Sequence, residues 1–326
     1  MALVFLKRDQ INVPEWDRCV AGAHNALLYG HSWYLDAVTN VPDGPRWRWE
    51  GLVATDNEGG YTAVLPVPLR RRWGHWVVYQ PLFCQFLAIF SAQPVDPAPF
   101  LEVLLKRYRY ASRLCLALTN PLSNVPGYVQ QRLLQTHVLT LDSAAPPYTR
   151  DRRMNLRRAH RRAAQTPGWQ VVESSDVQPL LTLFRSNHAD EIGVGEWAYP
   201  LFTQLVTALQ ARGLGTLRYA CVANVPVAGA FFAEGHRRVI YLFNAANADG
   251  RRLNARTLLL DEAIQHATSR LGQTGLFDFE SPEKPGVVQF YESFGAIPVP
   301  YLQLSWNRLT AIEKWIRRIV RRYQTL

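Results

Sequence analysis

The chain has 326 residues, 48% of them hydrophobic and 19% charged, a usage that excludes a disordered or fibrous protein. It leaves room for two domains of roughly 100–200 residues each. The net charge is +10, and of 36 basic residues only Lys7, Lys106, Lys284 and Lys314 are lysine, so the positive charge sits on guanidinium groups suited to bidentate recognition of phosphate or carboxylate.

The four cysteines, Cys19, Cys84, Cys115 and Cys221, lack the paired spacing of a zinc site or a disulfide framework. No His/Cys/Asp cluster has metal-ligand spacing, so no metal is expected. The opening MALVFLKRDQ is too short for a signal-peptide core, and no apolar run is long enough to span a membrane. The expectation is a soluble, cytoplasmic protein without integral membrane association.

In chain order, Pro14 opens a helical pattern over residues 14–24, with Trp16, Cys19, Val20 and Ala23 at helical spacing. Ser32 caps a second helix that ends at Asn40 and carries Trp33 and Tyr34, which are candidates to line a pocket. The period then changes. RWRWEGLVATD, YTAVLPVPLRRR and HWVVYQPLF are separated by turns at Asn57–Gly60 and Trp73–Gly74, which predicts an antiparallel meander. A helix at 100–108 and a strand at 113–118 follow. Residues 141–149, LDSAAPPYT, read as a linker, and RDRRMNLRRAHRRAAQ after it as a helix with Arg150, Arg153, Arg157 and Arg161 on one face.

The second half repeats the order of the first. A strand at 169–173 precedes helices at 177–186 and 198–212, three strands at 216–223, 226–234 and 237–244, and a helix from Asn254 to Leu271. A strand at 275–280, a short helical pattern carrying Phe290, Tyr291 and Phe294, and a strand at 297–304 complete it. The end, WNRLTAIEKWIRRIVRRY, is a basic amphipathic helix with Leu309, Ile312, Trp315, Ile316 and Ile319 on its apolar side. The pattern predicts a mixed α/β (α+β) fold in two copies, over residues 1–145 and 166–305, joined by an Arg-rich helix at 146–165 and closed by a basic helix at 306–326.

The distinctive stretch is Leu276–Ala296, LFDFESPEKPGVVQFYESFGA. Asp278 and Glu280 lie two apart on a predicted strand and therefore share a face. The helix after them returns Tyr291 toward the strand end. This is a candidate acid/base set, in which a carboxylate whose pKa its neighbour raises takes a proton and the phenol gives one.

The element order of residues 169–304 resembles the GNAT acyltransferase fold. The phrases YLFNAAN, NARTLLLDEAI, FDFESPE and FYESFGA, with GHSWYLDAV and NLRRA upstream, are similar to those of Fem-type peptidyltransferases and related double-GNAT proteins. The resemblance implies two tandem GNAT-like domains, each a mostly antiparallel mixed sheet flanked by helices. It implies splayed strands whose backbone N–H groups near Phe243 and Asn244 stabilise an oxyanion. Where the ordinary GNAT pattern has a glycine-rich pyrophosphate loop, this chain reads RRLNAR. Phosphate contacts then fall to Arg251, Arg252, Asn254 and Arg256.

Fem-type ligases that use aminoacyl-tRNA carry Phe-Lys before the Phe-Gly, whereas Phe290-Tyr291 here resembles acetyl-CoA-dependent enzymes in which the tyrosine protonates the departing thiolate. The expected function is N-acyl transfer from an acyl-CoA-type co-substrate to a small-molecule or peptide amine. Two alternatives accompany it, a tRNA-dependent aminoacyl transfer onto a peptidoglycan precursor and a non-catalytic binding module; DNA is not an expected partner. For the acceptor, Trp33, Tyr34, Tyr79, Gln80, Gln85 and His188 are candidates.

Overall fold

The structure, a computed structural model, describes residues 2–41, 44–141, 146–281, 283–310 and 312–314, and for residues 188–192 the backbone alone. Most of the predicted basic C-terminal helix, residues 142–145 of the predicted linker, and the side chain of His188 lie outside the described residues. The chain divides into two compact units, Met1–Leu134 with Pro300–Leu326, and Gln135–Val299.

In the first unit, β1 (Ala2–Lys7) is followed by α1 (Val13–Ala21), α2 (Ser32–Thr39), β2 (Trp47–Thr55), β3 (Tyr61–Arg72), β4 (His75–Tyr79), the short β5 (Phe90–Ser91), α3 (Ala98–Arg107) and β6 (Tyr110–Leu116). Asn12 caps α1 by accepting from the Glu15 amide, with Pro in its first turn as the sequence predicts. The meander β2–β3–β4 is antiparallel, and β4 pairs with β6 in parallel. Residues Ala63–Leu69 of β3 are buried without a break, the mark of a strand covered on both faces.

The strand β7 (Val129–Thr140) leads into the second unit. It holds α4 (Arg150–Gln165), β8 (Trp169–Ser174), α5 (Gln178–Ile192), α6 (Ala198–Gln210), β9 (Gly215–Val222), β10 (Val225–Gly235), β11 (Arg238–Ala246), α7 (Ala248–Arg252), α8 (Ala255–Leu271), β12 (Leu276–Asp278) and α9 (Pro285–Glu292). The last strand, β13 (Ile297–Asn307), returns the chain to the first unit.

Taken separately, the two sheets follow one plan. In the first unit the strand order is β1-β2-β3-β4-β6-β13, and in the second it is β8-β9-β10-β11-β12-β7. In each, a parallel pair (β4 with β6, β11 with β12) is followed by an antiparallel last strand. The fold is therefore the mixed, mostly antiparallel sheet with flanking helices that the sequence predicts, in two copies. The sequence reading assigns neither β1 nor β7. The last strand of each sheet comes from the other half of the chain, which places the unit boundaries at 134/135 and 299/300 rather than in the linker at 141–149. A linear division misses this because a strand's hydrogen-bond partners need not be its sequence neighbours.

Candidate functional site

In the second unit β11 and β12 pair only from Arg238–Leu276 to Ile240–Asp278. β12 stops there, while β11 continues from Tyr241 to Ala246 alongside β10 alone. At Tyr241–Phe243 the β10 register shifts, with Phe231 opposite Phe243 and Phe232 opposite Tyr241. Leu242 is thus the extra residue of a bulge, a device that bends a strand and re-aims its groups. The expected parting of strands at Phe243 and Asn244 is present. Phe243 packs against Phe184 and Phe202, with centroids 4.8 and 4.5 Å away. Asn244 accepts a hydrogen bond at 3.0 Å from Arg256 Nη1 on α8.

Tyr291 lies on α9 and is 6% exposed. Its ring stacks on Phe279 at 4.6 Å and meets Tyr241, the first β11 residue beyond the paired segment, edge-on at 6.3 Å. Burial pushes its phenol up to about 12, the positive charge of Arg256 opposes that rise, and the negative charge of Glu280 adds to it. Burial raises Tyr241 as well. The phenol of Tyr291 is therefore protonated at neutral pH and stands close enough to one cation and one carboxylate to feel both.

The carboxylates do not form the pair the sequence predicts. The strand ends at Asp278, and Glu280 takes a left-handed conformation at φ 44°, so the alternation that would put both on one face is broken between them. Asp278 is fully buried and accepts from Thr136 Oγ1 at 2.7 Å, Arg238 Nη1 at 2.8 Å and the Glu280 amide at 3.0 Å. It ties β7, β11 and the end of β12 together, and those internal donors hold it as scaffold. Glu280, half-buried, is the carboxylate whose charge reaches Tyr291.

The predicted phosphate residues separate. Arg251 donates to the Ala246 carbonyl at 2.8 Å, and Arg252 pairs with Asp249 at the surface at 2.9 Å. Arg256 is turned to Asn244 and toward Tyr291 instead. Asn254 precedes α8 in the left-handed conformation, φ 55°, which asparagine tolerates better than most residues. The loop does use one glycine, Gly250, where a Cβ would lie 2.2 Å from the Val227 carbonyl oxygen.

Of the acceptor candidates, Tyr34 and Gln80 are buried and spent internally. Tyr34 Oη donates to the Phe83 carbonyl, and Gln80 Nε2 donates to the Cys84 carbonyl at 2.8 Å while its Oε1 accepts from the Cys115 amide at 3.1 Å. The segment after β4 leaves backbone groups that need partners, and these two side chains supply them. Trp33 is half-buried and stacks with His31 at 6.0 Å. Tyr79 meets Trp47 edge-on at 5.3 Å beneath the guanidinium of Arg70 at 5.2 Å. Gln85 is half-buried. In this unit the place equivalent to the strand parting is filled, since Leu87 bonds to the carbonyl of Cys115 and the amide of Ala117 at 2.9 and 2.7 Å. A cleft of about 520 Å³ between α3 and residues 122–128 contains none of the predicted site residues.

Sequence reasoning misses three residues that frame the site. Thr136 holds Asp278. His137, buried on β7, lies 2.6 Å from Ser281 Oγ through Nδ1 and 3.8 Å from Glu292 through Nε2, and burial lowers its pKa, against the pull of Glu292 and Asp278. It thereby links the segment after Glu280 to the helix turn after Tyr291. Arg152 turns inward from α4. Its signal was present, since Arg152, Leu156, Ala159 and Ala163, all buried, form a stripe at helical spacing.

No curated protein sequence matches the chain. Residues 150–280 match the model of the acetyltransferase (GNAT) domain family. Among solved structures, the chain is similar to FemX at 13% identity and a TM-score of 0.60, over 93% of this chain and 97% of that one. It is similar to a tandem GNAT protein from the clavulanic acid biosynthesis pathway at 12% identity and a TM-score of 0.52, over 95% and 100%. The C-terminal domain of a putative lysylphosphatidylglycerol synthetase from Agrobacterium fabrum matches at 11% identity and a TM-score of 0.50, over 93% and 94%. At these identities the likeness establishes the fold, which is that of tandem GNAT and Fem-like structures. No helix among the described residues is long and apolar enough to cross a membrane, and no group of three or more His, Cys, Asp or Glu among them could hold a metal.

Proposed function

With a GNAT domain over residues 150–280 and a tandem-GNAT fold along its length, we propose that this chain is an N-acyltransferase that moves an acyl group from an acyl-CoA-type thioester to a primary amine. The second unit carries the chemistry. A neutral amine attacks the thioester carbonyl, and the negative charge that develops on oxygen is met by backbone N–H groups of β11 near Phe243 and Asn244. The carbon–sulfur bond breaks, and the Tyr291 phenol protonates the departing thiolate. The phenolate recovers a proton from the attacking amine, while Arg256 stabilises its charge in the interval. Glu280 relays that amine proton to the phenolate, and Asp278 holds the scaffold. The single observation that carries the reading is the buried, protonated phenol of Tyr291 set against Tyr241, where β11 runs on without β12.

One observation favours a second reading. Arg150, Arg153, Arg157, Arg158, Arg161 and Arg162 are all exposed on α4, a cationic surface that suits the phosphates of a tRNA. FemX and the synthetase domain share the fold. In that reading the donor is an aminoacyl-tRNA and the acceptor a peptidoglycan precursor peptide. The experiment offers the full chain a panel of acyl-CoA thioesters with primary amines and, separately, charged tRNA with a precursor peptide. Amine-dependent release of free thiol is the expected result. Consumption of aminoacyl-tRNA with no thiol release from any thioester would replace the first reading with the second.

A further inference from the structure

The β3–β4 hairpin turns through the sequence RRRWGHW, residues 70–76, which holds three arginines and two tryptophans and no acid. β2 pairs with β3 only as far as Arg70, whereas β3 and β4 pair on to Arg72 and His75, so the tip runs past the end of β2. Trp73 and Gly74 form the two-residue turn, with φ 49° and 79°. A left-handed pair of this kind suits Asn-Gly, and a tryptophan in it is strained. Turn formation does not call for an indole here, and strain of this sort gathers at residues held for function.

More cations and rings surround the tip. Arg71 is exposed, and its amide donates to the Arg46 carbonyl at 2.8 Å. The Arg48 guanidinium covers the Trp76 ring at 4.2 Å, those of Arg70 and Arg72 stand 5.2 and 5.8 Å from the Tyr79 ring centre, and Trp73 meets Tyr110 edge-on at 5.5 Å. Glu50 and Glu313, the carboxylates paired with neighbouring arginines, are already committed. Glu50 is fully buried and accepts from Arg48, Arg107 and the Tyr108 hydroxyl. Glu313 accepts from Arg109 at 3.0 Å and from the Thr310 amide at 2.6 Å. It stands close enough to His75 to feel its charge, which brings the start of the C-terminal segment to the hairpin tip. There Ile312 is 72% exposed, Lys314 is exposed, and the sequence beyond adds Arg317, Arg318, Arg321 and Arg322 with no acid.

We propose that this hairpin tip, with Ile312 and Lys314 beside it, docks the protein on an anionic membrane surface. The arginines supply attraction to acidic headgroups, and indole and phenol rings, apolar in body and polar at one end, belong at headgroup level. A single-stranded nucleic acid asks for open ring faces on which bases stack. Here guanidinium groups hold a face of Trp76 and of Tyr79, and an exposed isoleucine has no use in such a site. The docking is independent of which acyl donor the second unit uses.

Co-sedimentation of the full chain with vesicles tests this. Vesicles of phosphatidylcholine and phosphatidylserine in equal parts should retain the protein at low salt, vesicles of phosphatidylcholine alone should not, and added salt should release it. Each cation close to an anionic surface is worth about fivefold in partitioning, so Arg71→Glu/Arg72→Glu should weaken retention about a hundredfold or more. Trp73→Asn places in the turn a residue that accepts the left-handed conformation; it should keep Tm while losing retention, and it serves if the charge-reversed variant does not fold. Arg157→Glu/Arg158→Glu, on the exposed row of α4, should leave retention unchanged. No retention of wild type on the phosphatidylserine vesicles, equal retention by wild type and the hairpin variants, or an equal loss in the α4 variant would each overturn the assignment. Binding of tRNA that the hairpin variants lose, without vesicle retention by wild type, would overturn it in favour of RNA.

Discussion

Replacing Tyr291 with phenylalanine removes one hydroxyl and keeps the ring. The stack on Phe279 at 4.6 Å and the edge contact with Tyr241 at 6.3 Å do not need the oxygen, and the Arg256–Asn244 bond is separate from it. Stability should therefore change by no more than about 1 kcal/mol. The effect on rate should be far larger. A general acid in the transition state contributes about 10²–10⁴-fold, which is roughly 2.7–5.4 kcal/mol of barrier. Thiol release from acetyl-CoA with saturating amine measures it directly, and the loss should appear in kcat with KM nearly unchanged. The pH profile adds a second check. A phenol at about 12 stays protonated through the range in which an acceptor amine is deprotonated. The wild-type rate should thus climb with pH and show no fall near pH 10, where an ordinary tyrosine titrates. A Tyr291→Phe enzyme that turned over every tested thioester within about twofold of wild type would remove the phenol from the mechanism.

Two further outcomes follow from the same surroundings. Asp278→Ala leaves the buried Thr136 hydroxyl and the part-buried Arg238 guanidinium without their carboxylate, so urea unfolding should show a loss of about 3–5 kcal/mol; a loss below about 1 kcal/mol would mean the carboxylate is not the tie described. Burial raises Tyr108, Tyr148, Tyr219, Tyr241 and Tyr291, so the folded chain holds these protons to higher pH than the unfolded one and stability must fall as pH rises. For Tyr291 alone the contribution is complete below pH 10, disappears as pH passes through about 12, and amounts to about 2.7 kcal/mol. Tyrosinate absorbance should show these five phenols ionising only as the chain unfolds. Their ionisation in the intact fold near pH 10 would contradict the burial described.

Much of the architecture is determined by periodicity alone. The apolar runs of β2, β3 and β4, with glycine turns between them, specify an antiparallel meander because a tight turn sends the chain back beside the strand it has just left. The repeat of helix, helix, meander, helix and strand announces two copies of one plan. Tyr291 was legible for the same reason, as a phenol fixed by a short helix after a short strand. What the sequence could not decide is which chain segment supplies each sheet's last strand. β7 and β13 are ordinary strand sequences, and hydrogen-bond partners far apart in the chain leave no local trace. Nor could it decide what buried polar groups bond to. Asp278 and Glu280 look equivalent until the strand ends between them, and Tyr34 and Gln80 look like pocket residues until the segment after β4 claims their hydrogen bonds. Arg152 and Arg153 are adjacent arginines with the same propensities, and helix rotation against α8 and α9 buries one and leaves the other in water. Charge state, partner and role at such positions follow from desolvation and geometry, and those exist only once the chain has packed.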